Sequence, residues 1–316
     1  MSHAVEPLYV RYQVPDLARM ESFLQDFGMQ TARHEAGRLF MRGSGSAPYV
    51  YEAVQGAAAR FLGAGFRVAA RADLARLTAL EGSGPIESLD DVPGGGERVR
   101  MRMADGFEID AVHGVAAAAP LETRAAIALN TAHAKPRTNR FVRIDRAIAP
   151  VTKLGHFVLH VRDHQASVAW LRQRLGLIPS DYMGPPGDVT QAAGTFLRVD
   201  RGEELVDHHC LLILGTPEPA VHHCSFEVED VDAVMAGHDY LMERGYQLDC
   251  GVGRHLLGSQ IFDYWRDPWG HELEHWTDGD LFTSADGSNK STMQELLAVQ
   301  WGPLHPMLAA REGELR

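Results

Sequence analysis

The chain has 316 residues, 45% of them hydrophobic, and a formal charge of −12. That length and composition suit about two domains with well-filled cores. The acidic balance argues against nucleic acid and against an anionic membrane surface, both of which call for a basic face, and no run of about 18 apolar residues offers a membrane span.

In chain order, Leu8 to Val14 reads as a strand that stops at Pro15-Asp16. Leu17 to Phe27 follows as an amphipathic helix with Met20, Phe23, Leu24 and Phe27 on one side and Gly28 past its end. Arg38 to Arg42, Tyr49 to Ala53 and Ala59 to Val68 are strand-like, and Asp73 to Leu80 is a second helix. Val99 to Met103 and Phe107 to Val112 close the half with a hairpin. Gly114 to Val151 is Ala-rich, carries Pro120, Pro136 and Pro150 and contains a basic run from Lys135 to Arg146. It reads as a partly helical linker with a solvated basic face.

From Lys153 the pattern restarts. LGHFVLHVRDHQASVAWLRQRLGL is a strand followed by a helix that ends at Gly176. VHHCSFEVEDVDAVMAGHDYLMERGY repeats it, with Gly245 as the terminator. His156 stands seven residues ahead of Asp163, and His223 stands seven ahead of Asp230. Each Asp falls where a side-chain acceptor caps the first turn of a helix. The first half fits the same template more loosely, with Tyr9 at the place of His156, Gly63 at that of His223 and Asp110 at that of Glu274. Four strand-helix-strand modules, two per half, define an α+β chain of two domains. The boundaries read as 1–113, a linker over 114–151, a second domain over 152–280 and a tail over 281–316 with a helix around Thr292 to Trp301 that could close over one face.

The segment RHLLGSQIFDYWRDPWGHELE, from Arg254 to Glu274, is a strand, a tight Asp-Pro-Trp-Gly turn and a second strand. It holds a base, a phenol and a carboxylate, His255, Tyr264 and Glu274. Two repeat-equivalent histidines, His156 and His223, together with Glu274 offer two imidazoles and one carboxylate from three strands. A lone strand histidine is mostly structural, and sixteen histidines include ordinary ones. Repeat-equivalent placement, with a carboxylate in the right element, makes these three the candidate metal ligands. Such a set with open positions suits non-heme Fe(II), Mn(II) accepts the same donors, and zinc is a third option. Tyr9, Gly63 and Asp110 cannot reproduce the set, so the first half reads as scaffolding. Val158, two residues after His156, points to the same side and suits an aromatic ring pocket or plain core. Cys210, Cys224 and Cys250 make an odd count without a CxxC pair, and the N-terminus lacks a signal-peptide pattern, so a cytoplasmic setting is expected.

The Arg254–Glu274 segment resembles the signature of the type I extradiol ring-cleaving dioxygenases of the vicinal oxygen chelate superfamily. The signature positions fall on His255, Tyr264, Asp267, Pro268, Gly270 and Glu274. GHFV at 155–158 and HHCSFEV at 222–228 are similar to the two metal-histidine strands of that family, and VDHHCLL at 206–212 to the strand carrying its acid–base histidine, the second of the pair, His209. The resemblance implies two domains, each a pair of βαβββ modules in a U-shaped, partly open mixed barrel, with metal only in the second. It implies extradiol (meta) cleavage of a catecholic ring by O2 at Fe(II), giving a muconic-semialdehyde-type product in aromatic degradation. It also implies His209, His255 and Tyr264 as catalytic and substrate-contacting groups, with Val158 on the ring, and a homo-oligomer. The metal strands alone would also suit a hydroxyphenylpyruvate-type dioxygenase or a glyoxalase-like isomerase, and the cleft alone a non-enzymatic protein that sequesters an aromatic or metal-chelating drug without a metal triad. Two positions depart from the family pattern. Asp263 replaces an apolar residue and is expected on the outer face, and Leu257-Gly258 replaces polar residues found in some biphenyl-diol members.

Overall fold

Each module opens with a strand that runs into a short helix. The computed structural model describes residues 3–185 and 189–304. The first module is β1 (Ala4–Val14), α1 (Leu17–Asp26), β2 (Gln30–Glu35), β3 (Arg38–Arg42) and β4 (Tyr51–Gln55). The second is β5 (Arg60–Val68), α2 (Arg71–Leu77), β6 (Ser83–Ser88), β7 (Glu97–Arg102) and β8 (Glu108–His113). The third comprises β9 (Val151–Val161), α3 (His164–Leu175), β10 (Ile178–Met183), β11 (Gly194–Arg198), the two-residue β12 (Val206–Asp207) and β13 (Leu211–Gly215). The fourth is β14 (Ala220–Val228), α4 (Val231–Glu243), β15 (Gln247–His255), β16 (Ile261–Arg266) and β17 (Glu272–Thr277). A tail adds β18 (Leu281–Phe282), β19 (Asn289–Ser291), α5 (Met293–Leu297) and β20 (Val299–Trp301).

Local chemistry accounts for the helix starts. Asp16, Asp163 and Asp230 each accept a hydrogen bond from the backbone N–H three residues on, at Arg19, Ala166 and Ala233. Each thereby satisfies a donor that has no partner inside the helix. Helix α1 buries Leu17, Met20, Phe23 and Leu24, the spacing of a single helical face. Gly176 takes the left-handed conformation that ends α3.

The modules join in pairs. In each half the two opening strands lie side by side and antiparallel, β1 with β5 and β9 with β14. Each opening strand is flanked by the closing strand of its own module, in parallel: β4 and β8 in the first half, β13 and β17 in the second. The result is an eight-stranded sheet in order β2-β3-β4-β1-β5-β8-β7-β6 and a ten-stranded sheet whose outer strands, β19 and β20, come from the tail. Both sheets are open, as the α+β reading required.

One apolar core runs through both halves, with Met20, Phe23, Phe27 and Phe66 clustered together with Leu154, Phe157 and Phe226. A polar clasp sits at its edge. The Asp26 carboxylate accepts from Tyr240 Oη and Tyr246 Oη, both at 2.7 Å, and pairs with Arg244 at 2.9 Å.

The structure corrects two expectations and adds strands that the sequence had not signalled. Residues 114–150 contain no helix: prolines at 120, 136 and 150 interrupt the segment, and its backbone is satisfied instead by bonds such as Ala118 N–H to Ser46 C=O and Leu121 N–H to Ser44 C=O. The tail helix is shorter than expected, covering Met293–Leu297, because Val299–Trp301 pairs with β15 as a strand. Strands β2 and β6 escaped notice because they are largely polar and exposed, so their sequence lacks an alternating apolar face.

The Asp26 clasp has a pH signature. Burial works against the carboxyl's charge, but hydrogen bonds from Tyr246, Tyr240 and Arg244 outweigh it and hold Asp26 below the usual carboxylate range. Its contribution is therefore fully present above the unfolded value of about 3.9 and disappears as pH falls through the lower folded value. Replacing Asp26 with Asn is expected to cost about 1–3 kcal/mol at pH 7 in urea denaturation. That difference should shrink below about pH 4; equal stability of the two proteins at pH 7 would remove Asp26 from the account.

Candidate metal centre

Strand register brings the candidate ligands together. Ser225 on β14 is paired with His156 on β9 on one side and with Glu274 on β17 on the other. Glu274 is paired in turn with Tyr264 on β16. One row across four adjacent strands therefore reads His156, Ser225, Glu274, Tyr264. His223, two residues before Ser225, projects to the same face of β14. Ser225 is small and buried, which leaves the space between its two neighbours open.

The three ligand atoms converge. His156 Nε2 lies 3.2 Å from His223 Nε2 and 3.1 Å from Glu274 Oε2, and His223 Nε2 lies 3.4 Å from that same oxygen. Donors about 2.1 Å from a shared ion and at right angles would be about 3 Å apart. Glu274 is wholly buried, yet neither carboxylate oxygen receives a hydrogen bond of acceptable geometry. A buried carboxylate in that condition is strongly destabilising unless a cation meets it. Protonation states suit a metal as well, since ligands must be deprotonated. Burial pushes His223 well below the ordinary imidazole value. Burial opposes the charge of Glu274, but the neighbouring imidazoles, His156 and His255 first, hold it well below the carboxylate range. The second ring nitrogen of His223, Nδ1, faces His222 Nδ1 at 2.9 Å, which orients the ring and leaves Nε2 to the ion. A further group, His222, His223 and Glu272, shares His223 and is partly exposed.

A cavity opens beside this centre. His156, His209, His222, His223, His255, Gln260 and Tyr264 supply its polar groups, and Val158, Phe196, Leu212, Leu214, Leu257, Leu296 and Leu297 its apolar wall. Tyr264 Oη and His255 Nε2 are 2.9 Å apart, and burial keeps the phenol protonated by raising it well above its usual value. The His209 ring lies 4.2 Å from that of His156, and burial pushes its titration well down, so it is neutral. His209 stands just ahead of β13 rather than within it.

Six of the seven residues singled out from the sequence line this cavity, and the seventh, Glu274, lies beneath it against His156 and His223. Phe196 had carried no signal, and Leu296 and Leu297 come from α5, the tail helix that closes over the cavity. Asp263 corrects an expectation. It faces away from Tyr264 as expected, but that outer face is covered: Asp263 is fully buried under α4, where it accepts from Trp265 Nε1 at 2.6 Å and contacts His238 Nδ1 at 3.0 Å. The partner that makes this burial tolerable, His238, is 25 residues away in sequence.

The first half shows what the same row becomes without ligands. Register places Tyr9, Gly65, Asp110 and Arg100 where the second half has His156, Ser225, Glu274 and Tyr264. Tyr9 Oη donates to Asp110 at 2.9 Å, and Arg100 grips the same carboxylate at 2.8 and 2.9 Å. A guanidinium thus neutralises the buried acid. A side chain at Gly65 would put its Cβ 2.4 Å from the Tyr9 ring, so only glycine fits beneath it.

Residues 153–275 match the Glyoxalase/Bleomycin resistance protein/Dioxygenase superfamily. Among characterised relatives, the chain is 31% identical to metapyrocatechase 2 of Cupriavidus necator over 164 residues, covering 51% of this chain and 48% of that one. It is 26% identical to an iron-dependent extradiol dioxygenase of Rhodococcus jostii over 191 residues, 58% of this chain and 56% of that one. The matched region thus spans about half the length of each relative. In three dimensions the chain superimposes on the Mn(II)-bound glyoxalase from Novosphingobium aromaticivorans with a TM-score of 0.78 at 23% identity, covering 97% of this chain and 94% of that one. The vicinal oxygen chelate fold is therefore the fold of this chain.

Removing one imidazole should abolish the centre without unfolding the sheet, because His223 sits at the cavity and not in the apolar core. His223→Ala loaded anaerobically with Fe(II) is expected to hold less than a tenth of an equivalent by metal analysis, with an unchanged circular dichroism spectrum. Full occupancy would contradict the assignment.

Proposed function

We propose that this protein cleaves a catecholic ring in the extradiol manner, using O2 and Fe(II) held by His156, His223 and Glu274. The observation that supports it best is the pairing of two sets of groups around one apolar cavity: two imidazoles and a carboxylate at one point, and His209, His255 and Tyr264 around it. The relatives named metapyrocatechase and iron-dependent extradiol dioxygenase favour the same chemistry. Mn(II) suits the donor set equally. A glyoxalase-like or ligand-sequestering role would need no such second set.

The chemistry supplied by the ion when bound is acidification of the diol and an electron path from ring to dioxygen. The rest falls to the protein. Val158, Phe196, Leu212 and Leu214 offer an apolar bed for the ring and exclude water. Tyr264 and His255, joined at 2.9 Å, are placed to hydrogen-bond an ionised diol oxygen. His209, neutral in its dry setting, serves as the acid–base group, accepting and returning a proton during ring opening. The buried, unpaired thiols of Cys210, Cys224 and Cys250 fit a reducing cytoplasm.

The test is anaerobic Fe(II) loading, exposure to a panel of catechols and air, and detection of the yellow ring-fission product. The wild type is expected to cleave at least one catechol. His209→Phe should keep iron and bind the diol but turn over about 10²–10⁴ times more slowly. A wild type that cleaves none, or a His209→Phe variant at near wild-type rate, would contradict this reading.

A further inference from the structure

Behind His209, away from the metal ligands, lies a second buried polar chain. His208 Nδ1 is 2.9 Å from His209 Nδ1, and His208 Nε2 is 2.6 Å from Asp181 Oδ2. His208 and Asp181 are both only 2% exposed. The His208 ring is flanked by Phe196 and Phe282, and a Cβ on Gly258 would come within 3.0 Å of its Nδ1, so the loop after β15 packs directly over the imidazole–imidazole contact.

The backbone here is held as firmly as the rings. Ser180 Oγ donates to the His208 carbonyl at 2.5 Å, and Arg198 Nη1 donates to Ser180 Oγ at 2.9 Å. Asp280 accepts from the His208 N–H at 2.8 Å and donates its own N–H to Gly258 C=O at 2.9 Å. Ser291 Oγ on β19 donates to the other Asp181 oxygen at 3.3 Å, so the tail strand also supports the chain.

Donor and acceptor rules couple the protons along this chain. The Asp181 carboxylate accepts, so His208 donates to it from Nε2. With that single proton on its ring, His208 offers a bare Nδ1, and the facing Nδ1 of His209 is then the donor. A neutral imidazole holds one N–H, so His209 Nε2, on the far side of the ring from this contact, is bare.

We propose that Asp181 and His208 are positioning residues that lock His209 in the Nδ1–H tautomer, presenting a basic Nε2 to the cavity. Asp181 sets His208, and His208 sets His209. This rests on His209 being the acid–base group, and it explains why a paired histidine precedes it: the first imidazole orients the second. A histidine free to choose its tautomer would present a donor part of the time and could not accept a proton in that state.

The experiment uses zinc-loaded protein labelled with 15N-histidine, in which long-range 15N–1H correlations report each ring's tautomer and the His209 signal is identified by its loss in His209→Phe. Wild-type His209 is expected to be protonated on Nδ1 alone. His208→Leu removes the acceptor, and the His209 signal should move toward the Nε2–H form. His208→Asn puts a carbonyl oxygen near the place of Nδ1 and should restore the wild-type tautomer. In the iron-loaded enzyme, kcat should fall about 10- to 100-fold in His208→Leu, the range for a partner that orients a working histidine. KM for the catechol should be unchanged, and His208→Asn should recover most of the rate. Asp181→Leu, which frees His208, should also loosen the His209 tautomer and serves if His208→Leu does not fold. Wild-type His209 protonated on Nε2, or a tautomer unmoved by both leucine substitutions, would overturn the proposal. The tautomer is read without turnover, so it decides the matter even if the wild type cleaves no catechol.

Discussion

A buried carboxylate that lacks hydrogen-bond donors is the constraint on which the second half is built. Glu274 is fully enclosed, and imidazole nitrogens of His156 and His223 stand 3.1 and 3.4 Å from one of its oxygens. Three lone-pair donors pressed within 3.4 Å of one another repel unless a cation is shared among them. Strand register favours the approach: β9, β14 and β17 are adjacent, so the backbones of His156, His223 and Glu274 are held side by side with their side chains toward one space. Sheet pairing thus preorganises the centre, and the ion would repay the desolvation of its ligands.

The first half is the same architecture with the electrostatic problem solved internally. Asp110 occupies the place of Glu274 and is just as buried, but Arg100 and Tyr9 satisfy it. Burial opposes the charge there, and Arg100 overrides it, keeping Asp110 below the usual carboxylate range. The contrast is between a carboxylate neutralised by the chain and one left for an ion. The first half still matters to the site, because its helix α1 supports the back of the metal strands. Phe27 stacks on His275 at 3.8 Å, and its carbonyl accepts from His275 Nε2 at 2.7 Å. His275 follows Glu274 directly and points to the opposite face of β17.

Much of this was legible in the sequence because the chain repeats itself. Asp163 and Asp230 mark helix starts by local chemistry, and counting back seven residues finds a histidine in both modules. Register then confirmed the alignment of Tyr9, Gly63 and Asp110 with the second-half positions. The missing parts depend on contacts distant in sequence. Asp263 looked like an outer-face residue because alternation gives direction but not what covers the face, and α4 covers it. The linker's alanines favoured a helix, yet a helix also needs an apolar partner and an interior without proline. Asp181 is unremarkable in its own strand and acquires meaning only through His208, 27 residues on. The apolar lid from α5 was foreseen in outline, but not the leucines that form it.

The central claim is that one ion is held by three side chains of the second half and none of the first. Anomalous diffraction at the iron edge from crystals grown with Fe(II) under anaerobic conditions tests it most directly. The account predicts a single peak per chain, about 2.0–2.2 Å from His156 Nε2, His223 Nε2 and an oxygen of Glu274, with no peak beside Tyr9 and Asp110. An iron bound in the first half, or one that leaves Glu274 uncoordinated, would contradict it.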